Sequence, residues 1–254
     1  MPPLQPTLPL LAPGDPFPSI FESWGENSPA PGLLAAGGSL DAATLFNAYS
    51  QGIFPWFSEG QPVLWWSTAP RMTLHTDEFR LHRSLKKVIR RFREEPDSEI
   101  KVDSNFSAVL DACSDSYRHG QSGTWILPEM KTAYLELHQE GYAHSVETWK
   151  DGKLVGGLYC VSVGRAVFGE SMFAINTDAS KIALAALVGM SSAQGVRWID
   201  CQQVTDHLAF MGARPIDRVS FSHYLEEARS QPAIEWRFEP LYWKSLLSAC
   251  ANST

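Results

Sequence analysis

The sequence predicts an α+β protein: a sheet domain over residues 71–254, joined to a smaller N-terminal lobe over residues 1–70. Three observations lead there. Between Pro128 and Cys201 a helical pattern, three alternating strand patterns, a second helical pattern and a returning strand follow one another, the order of a meander sheet carrying helices. The first 31 residues hold nine of the 17 prolines, a composition unlike the rest of the chain. With 44% apolar and 19% charged residues over 254 positions, the chain can bury about 70% or more of its unfolded surface, which excludes disorder.

The proline-rich start reads as an extended arm with no regular element before Gly37, since each proline removes a donor and fixes φ. Ser39 or Asp41 then caps a short helix through Leu45, Phe46 and Tyr49, which Gly52 stops. From Gly52 to Pro70 come Phe54, Trp56, Phe57, Trp65 and Trp66, a density that suits either a wedge between two lobes or rings on which a ligand stacks. Leu81, Leu85, Val88, Ile89 and Phe92 form one buried helical stripe. Around it lie Arg80, Arg83, Lys86, Lys87, Arg90, Arg91 and Arg93, with no acidic residue between Phe79 and Phe92. In a chain of net charge −7 this excess points to a polyanion contact, although an acidic partner surface on the same protein would also satisfy it.

A further helix starts at Pro128, buries Met130, Ala133, Tyr134 and Leu137, and stops at Gly141. Strands follow at His144–Trp149, Leu154–Val163 and Ala166–Phe173, separated by turns at Asp151-Gly152 and Gly164-Arg165. Asp178 or Ser180 opens a helix of small apolar residues that ends at Gly195, and Val196–Cys201 is the returning strand.

No apolar run approaches the roughly 18 residues a membrane span needs, and no basic-then-apolar leader opens the chain, so a cytoplasmic protein without a membrane partner is expected. Cys113, Cys160, Cys201 and Cys250 lie far apart, which suggests neither a zinc site nor a disulfide framework. Chemistry-bearing residues gather at Gly169–Phe173, at Ile199–Gln202 and at His207, each at or after a strand end, where Glu170, Asp200 and Gln202 can share a cleft. Alternation along the returning strand places Asp200 and Gln202 on one face. A Cys201 nucleophile has little support, because the adjacent Asp200 points to the opposite face and cannot orient a histidine for it. No phosphate loop, nucleophile elbow, zinc-protease or dinucleotide motif is present.

Seven blocks in order, Gly52–Phe57, Leu64–Ser67, Gly123–Ile126, His144–Glu147, Leu154–Gly157, Gly169–Phe173 and Ile199–Gln202, resemble the leucyl/phenylalanyl-tRNA–protein transferases. The likeness runs from about Gly32 to Tyr224. It implies an acetyltransferase-like (GNAT-like) sheet domain and an enzyme that moves Leu or Phe from aminoacyl-tRNA to the N-terminal Arg or Lys of a protein, marking it for degradation. By the same resemblance, Arg83, Lys86, Lys87 and Arg90 grip tRNA phosphates. Trp56 and Trp125 hold the terminal adenosine. Leu158, Val167, Leu184, Leu187 and Ile199 line the pocket for the Leu or Phe side chain. Asp200 and Gln202 stand at the reacting centre, Asp200 taking the amine's proton through Gln202, and Glu170 holds the cationic acceptor. A substrate-assisted route through the neighbouring ribose hydroxyl competes with that general-base route. The partners implied are Leu-tRNA, Phe-tRNA and basic N-termini; a monomer without metal or cofactor is expected. The alternatives are a small-molecule N-acetyltransferase, which should show a glycine-rich loop before a helix near Asp178, and a non-catalytic RNA-binding module, which has no use for a buried Asp200–Gln202 pair.

Overall fold

The computed structural model describes residues 7–115 and 126–249. In the N-terminal part, β1 (Leu10–Leu11), a 3₁₀ turn (Ile20–Glu22), β2 (Leu33–Gly37), α1 (Ala42–Ser50), β3 (Phe54–Pro55) and β4 (Leu64–Trp66) build a four-stranded sheet in the order β1-β2-β4-β3. The arm is therefore structured, contrary to the expectation that nothing regular precedes Gly37. Proline removes only its own donor. Leu10 and Leu11 still lie parallel to Ala36 and Gly37 at the sheet edge, and Ser19 and Glu22 cap the 3₁₀ turn reciprocally. Asp41, not Ser39, caps α1, its Oδ1 accepting the Thr44 N–H at 2.8 Å. Gly52 stops the helix at φ +76°, where a Cβ would lie 2.6 Å from the Phe221 ring.

The larger sheet follows from β5 (Arg71–His75), α2 (Arg83–Glu94), β6 (Ser98–Val102), α3 (Phe106–Asp115), α4 (Pro128–Gln139), β7 (Ala143–Lys150), β8 (Lys153–Val163), β9 (Ala166–Ala174), α5 (Ala179–Ala193), β10 (Trp198–Asp200), α6 (Asp206–Phe210), β11 (Arg214–Ile216), α7 (Arg218–Arg229) and α8 (Leu241–Ala249). Its seven strands run β11-β5-β10-β9-β8-β7-β6, and every neighbouring pair is antiparallel except β9 and β10. Period-2 alternation sends Tyr159, Val161 and Phe168 into one core with α1, α3 and α4, and Leu158, Cys160, Val167 and Ile199 into another with α2, α5 and α8. Helices thus cover both faces. The mixed α+β class agrees with the sequence, and β10 is shorter than the predicted strand. Strands β5, β6 and β11 and helices α3, α6, α7 and α8 carry no expectation from the sequence.

Helix α5 packs tightly on the sheet because β8 has no side chain at the contact. A Cβ on Gly156 would sit 2.4 Å from the Ala179 Cβ. Gly156→Ala is expected to lower folding stability by about 1 to 3 kcal/mol, as overpacking does, with a matching fall in Tm in a thermal melt. An unchanged Tm would show that α5 does not need this approach. Among the described residues no helix is long and apolar enough to cross a membrane. Cys113, Cys160 and Cys201 are in no disulfide among the described residues, while Cys250 lies outside them.

Candidate active site

The cleft opens where the one parallel pair of the larger sheet parts. Val167 and Phe168 of β9 pair with Ile199 and Asp200 of β10. Beyond that register β10 ends while β9 continues to Ala174. A second irregularity aims a side chain into the gap. Tyr159 of β8 faces Ser171, and Cys160 faces Gly169, so Glu170 is the extra residue of a β-bulge. Bulges bend a strand and redirect its side chains, and they recur beside functional sites.

The resulting cavity is about 320 Å³. Leu158, Leu184, Leu187 and Ile199 line it, as the resemblance implies, together with Met172. Val167 does not. It lies one strand across from Ile199, buried in the core with α5, because the parallel register stacks the two residues side by side and only Ile199 borders the gap. Trp56 and Phe54 form the wall from the N-terminal lobe. Trp66 braces Trp56: its Nε1–H donates to the Trp56 carbonyl at 2.6 Å, and the rings lie 5.4 Å apart. Trp125 lies outside the described residues.

Glu170 and Gln202 form the polar end of the cavity. Gln202 Nε2–H donates to Glu170 Oε1 at 3.0 Å, and the Tyr134 hydroxyl donates to Glu170 Oε2 at 3.3 Å. Behind them the Tyr134 and Tyr49 hydroxyls lie 2.5 Å apart. Burial and then the nearby charge of Asp200 push the Glu170 carboxyl up to about 8, against the pull of hydrogen bonds from Tyr49 and Tyr134 and the charge of Arg71. Burial, and then the charge of Glu170, hold both phenols well above their ordinary range, so they stay protonated donors.

Asp200 takes a different place from the one expected. It is buried but does not line the cavity. Both its oxygens accept from Arg71, with Nε at 2.9 and 3.1 Å and Nη2 at 2.6 Å, and its Oδ1 also accepts the backbone N–H of Gln202 at 2.9 Å. Gln202 lies beyond the strand at φ +54°, so strand alternation does not apply to it. The expected proton path from the Gln202 side chain to Asp200 has no hydrogen bond along it, and Asp200 instead anchors the Gln202 backbone. Cys201 lines the cavity, but its Sγ–H donates to the Ile199 carbonyl, and burial and then Asp200 push its thiol up, which disfavours the thiolate. His207 lines the rim on α6, exposed.

On α2, Leu85, Ile89 and Phe92 are buried, while Arg83, Lys87 and Arg90 are exposed and Lys86 is half-buried. Helix α2 packs against α5, which carries Leu184 and Leu187. Sequence reasoning missed Arg71 and the role of the two tyrosines. A lone arginine inside the alternating Arg71–His75 run and two tyrosines on inward helix faces were the signals, since buried polar groups need partners.

An apolar chamber closed by a carboxyl–amide pair and flanked by an indole gives this α+β protein the form of a ligand-binding cleft. A family model described as "Leucyl/phenylalanyl-tRNA protein transferase" matches residues 73–226, and one described as the N-terminal domain of the same transferase matches residues 38–69. A protein of Polaromonas sp. named leucyl/phenylalanyl-tRNA–protein transferase is 60% identical over 242 residues, 95% of each chain. Proteins of the same name from Albidiferax ferrireducens and Leptothrix cholodnii are 57% and 55% identical, over 98% and 95% of this chain and 98% and 94% of their own. The chain belongs to the leucyl/phenylalanyl-tRNA–protein transferase family. Among solved structures, that of L-PGS from Bacillus licheniformis aligns with 86% of this chain and 72% of its own at 12% identity and a TM-score of 0.36.

Proposed function

We propose that this aminoacyltransferase moves a leucyl or phenylalanyl group from tRNA to the N-terminal Arg or Lys of an acceptor protein. The observation that carries this reading is the contact between the apolar chamber and the Glu170–Gln202 pair, which sets an apolar aminoacyl side chain beside a group suited to a cation. Leu158, Leu184, Leu187, Ile199 and Met172 receive the side chain, and Trp56 with Trp125 grips the terminal adenosine. A charged aminoacyl side chain among Leu158, Leu184, Leu187 and Ile199 would lose its hydration to apolar walls, so discrimination against it is strong, whereas Leu and Phe differ only by apolar fit.

In the reaction the acceptor's amine nitrogen attacks the ester carbonyl carbon. A C–N bond forms, the C–O bond to the ribose breaks, and the amine's proton ends on the ribose oxygen. Gln202 donates to Glu170 through Nε2, which leaves its amide oxygen to accept an N–H of the amine. An amide oxygen orients the nucleophile but is too weak a base to keep its proton, so the neighbouring ribose hydroxyl passes the proton to the leaving oxygen. Glu170 ionises as the acceptor's cation arrives, because an opposite charge at contact favours its charged form. The reaction takes place in the cytoplasm, where aminoacyl-tRNA occurs. The larger sheet is acetyltransferase-like in this reading, supported by its single parallel pair that parts to open the cleft, and the division between lobes lies near residue 70.

Labelled Leu-tRNA or Phe-tRNA with peptides beginning Lys, Arg or Asp tests the assignment. Label is expected in the basic peptides alone, and label in the Asp peptide at an equal rate would overturn it. The exposed face of α2 holds tRNA phosphates, so Arg83→Ala with Arg90→Ala should weaken tRNA binding and flatten its dependence on log salt by about 1.5, leaving kcat at saturating tRNA within about twofold. An unchanged salt slope would place the tRNA elsewhere.

A further inference from the structure

The residue that orients the amine stands on a strained turn. Gln202 has φ +54°, a left-handed value rare for a residue with a side chain, and the Gln203 N–H reaches back to the Cys201 carbonyl at 2.6 Å. That two-residue span is a γ-turn about Gln202, and a positive central φ marks its rarer, strained form. Such a backbone persists only where surrounding groups over-determine it.

Here the surrounding groups come from a distant stretch of chain, residues 68–72. The Thr68 hydroxyl donates to the Gln202 carbonyl at 2.7 Å across 134 positions of sequence. The Met72 N–H reaches the same carbonyl at 3.4 Å. On the other side of the turn, the Gln202 N–H donates to Asp200, whose carboxylate is clamped in two-point fashion by Arg71. Both polar groups of the Gln202 peptide are therefore tied to the segment joining β4 to β5 and to β5 itself, directly through Thr68 and Met72 and indirectly through Arg71. The same segment follows β4, whose Trp66 braces the cavity wall at Trp56.

We infer that Thr68 and Arg71 are positioning residues for transfer: they hold the Gln202 turn in its left-handed form, which sets the side-chain amide between Glu170 and the reacting amine. The inference rests on the orienting role given to Gln202 above. Neither residue lines the cavity. Thr68 tests it most cleanly, because serine keeps the hydroxyl and valine keeps the shape without a donor.

The full chain carrying Thr68→Val, Thr68→Ser, Gln202→Ala and Thr68→Val with Gln202→Ala is assayed for kcat, for KM of an Arg-initiated peptide and for Kd of Leu-tRNA, with a thermal melt to confirm folding. Thr68→Val is expected to lower kcat by about 10- to 100-fold while KM and Kd stay within about twofold, and Thr68→Ser to stay within about threefold of the parent. In the Gln202→Ala background, Thr68→Val should cost less than about twofold, since the group it positions is gone. The inference is overturned if Thr68→Val costs the same factor with and without Gln202, or if Thr68→Ser is as impaired as Thr68→Val. Parental activity in Gln202→Ala alone would instead refute the role of Gln202, and the positioning role would fall with it.

Discussion

Arg71→Ala is expected to lower folding stability by about 3 to 5 kcal/mol, because it leaves a carboxylate buried without its partner. Arg71 and Asp200 are 0% and 2% exposed. Only Nε and Nη2 of the guanidinium bond Asp200, and Nη1 has no hydrogen-bond partner among the described residues. The rings of Phe54 and Phe221 lie over the group at 4.9 and 4.5 Å, so the cation is desolvated on its faces and held by one carboxylate at its edge. Removing both charges is a different matter. Arg71→Met with Asp200→Val should recover most of the lost stability, as replacing a buried ion pair by apolar groups often does. Transfer should remain lost in the double variant, since the Gln202 N–H then has no acceptor. Denaturant unfolding and the transfer assay on both variants check this; a double variant that regains stability and activity together would show that the pair serves the fold alone.

Glu170→Gln is expected to act in opposite directions on activity and stability. The variant should lose about 100-fold or more in kcat/KM toward an Arg-initiated peptide, because a neutral amide cannot pair with the acceptor's cation. Stability should rise, and the rise should depend on pH. Folded Glu170 titrates near 8, above the ordinary value of about 4.3 in an unfolded chain. Between those pH values the native protein holds a proton that the unfolded chain has lost, so native stability falls as pH rises through the window and levels off above it. Glutamine has no such proton. The Tm gap between variant and parent should therefore widen from about pH 5 to about pH 8 and then stay constant. A gap independent of pH would mean that burial does not hold Glu170 in its neutral form.

Much of the fold around this site is legible in residue type and spacing, the pocket residues came from the family resemblance, and the limits follow from periodicity. Helix α4 announces itself through Pro128, the inward stripe and Gly141, all local signals. The meander β7 to β9 does the same through alternation and two turns, and the basic stripe of α2 needs only a count of charges. What alternation cannot show is where it breaks. The bulge that places Glu170 against Gln202 depends on an extra residue in β9 relative to β8, a fact about two strands together. The γ-turn at Gln202 breaks the alternation that would put it beside Asp200. Val167 reads as well as Ile199 for a pocket wall, and only the register of β9 and β10 tells the buried neighbour from the lining one.

By itself the sequence determined the α+β class and the basic helix, because these rest on residue type and short-range spacing; the family resemblance implied the chamber residues and paired Gln202 with Asp200, whereas in the fold its side chain meets Glu170. The tertiary structure alone decided that Arg71 claims Asp200, that Thr68 reaches Gln202, and that the proline-rich start is folded onto a sheet edge. Each is a partnership between segments far apart in the chain. Hydrogen-bond partners of that kind are chosen by which backbones the fold brings together, and no local pattern records the choice.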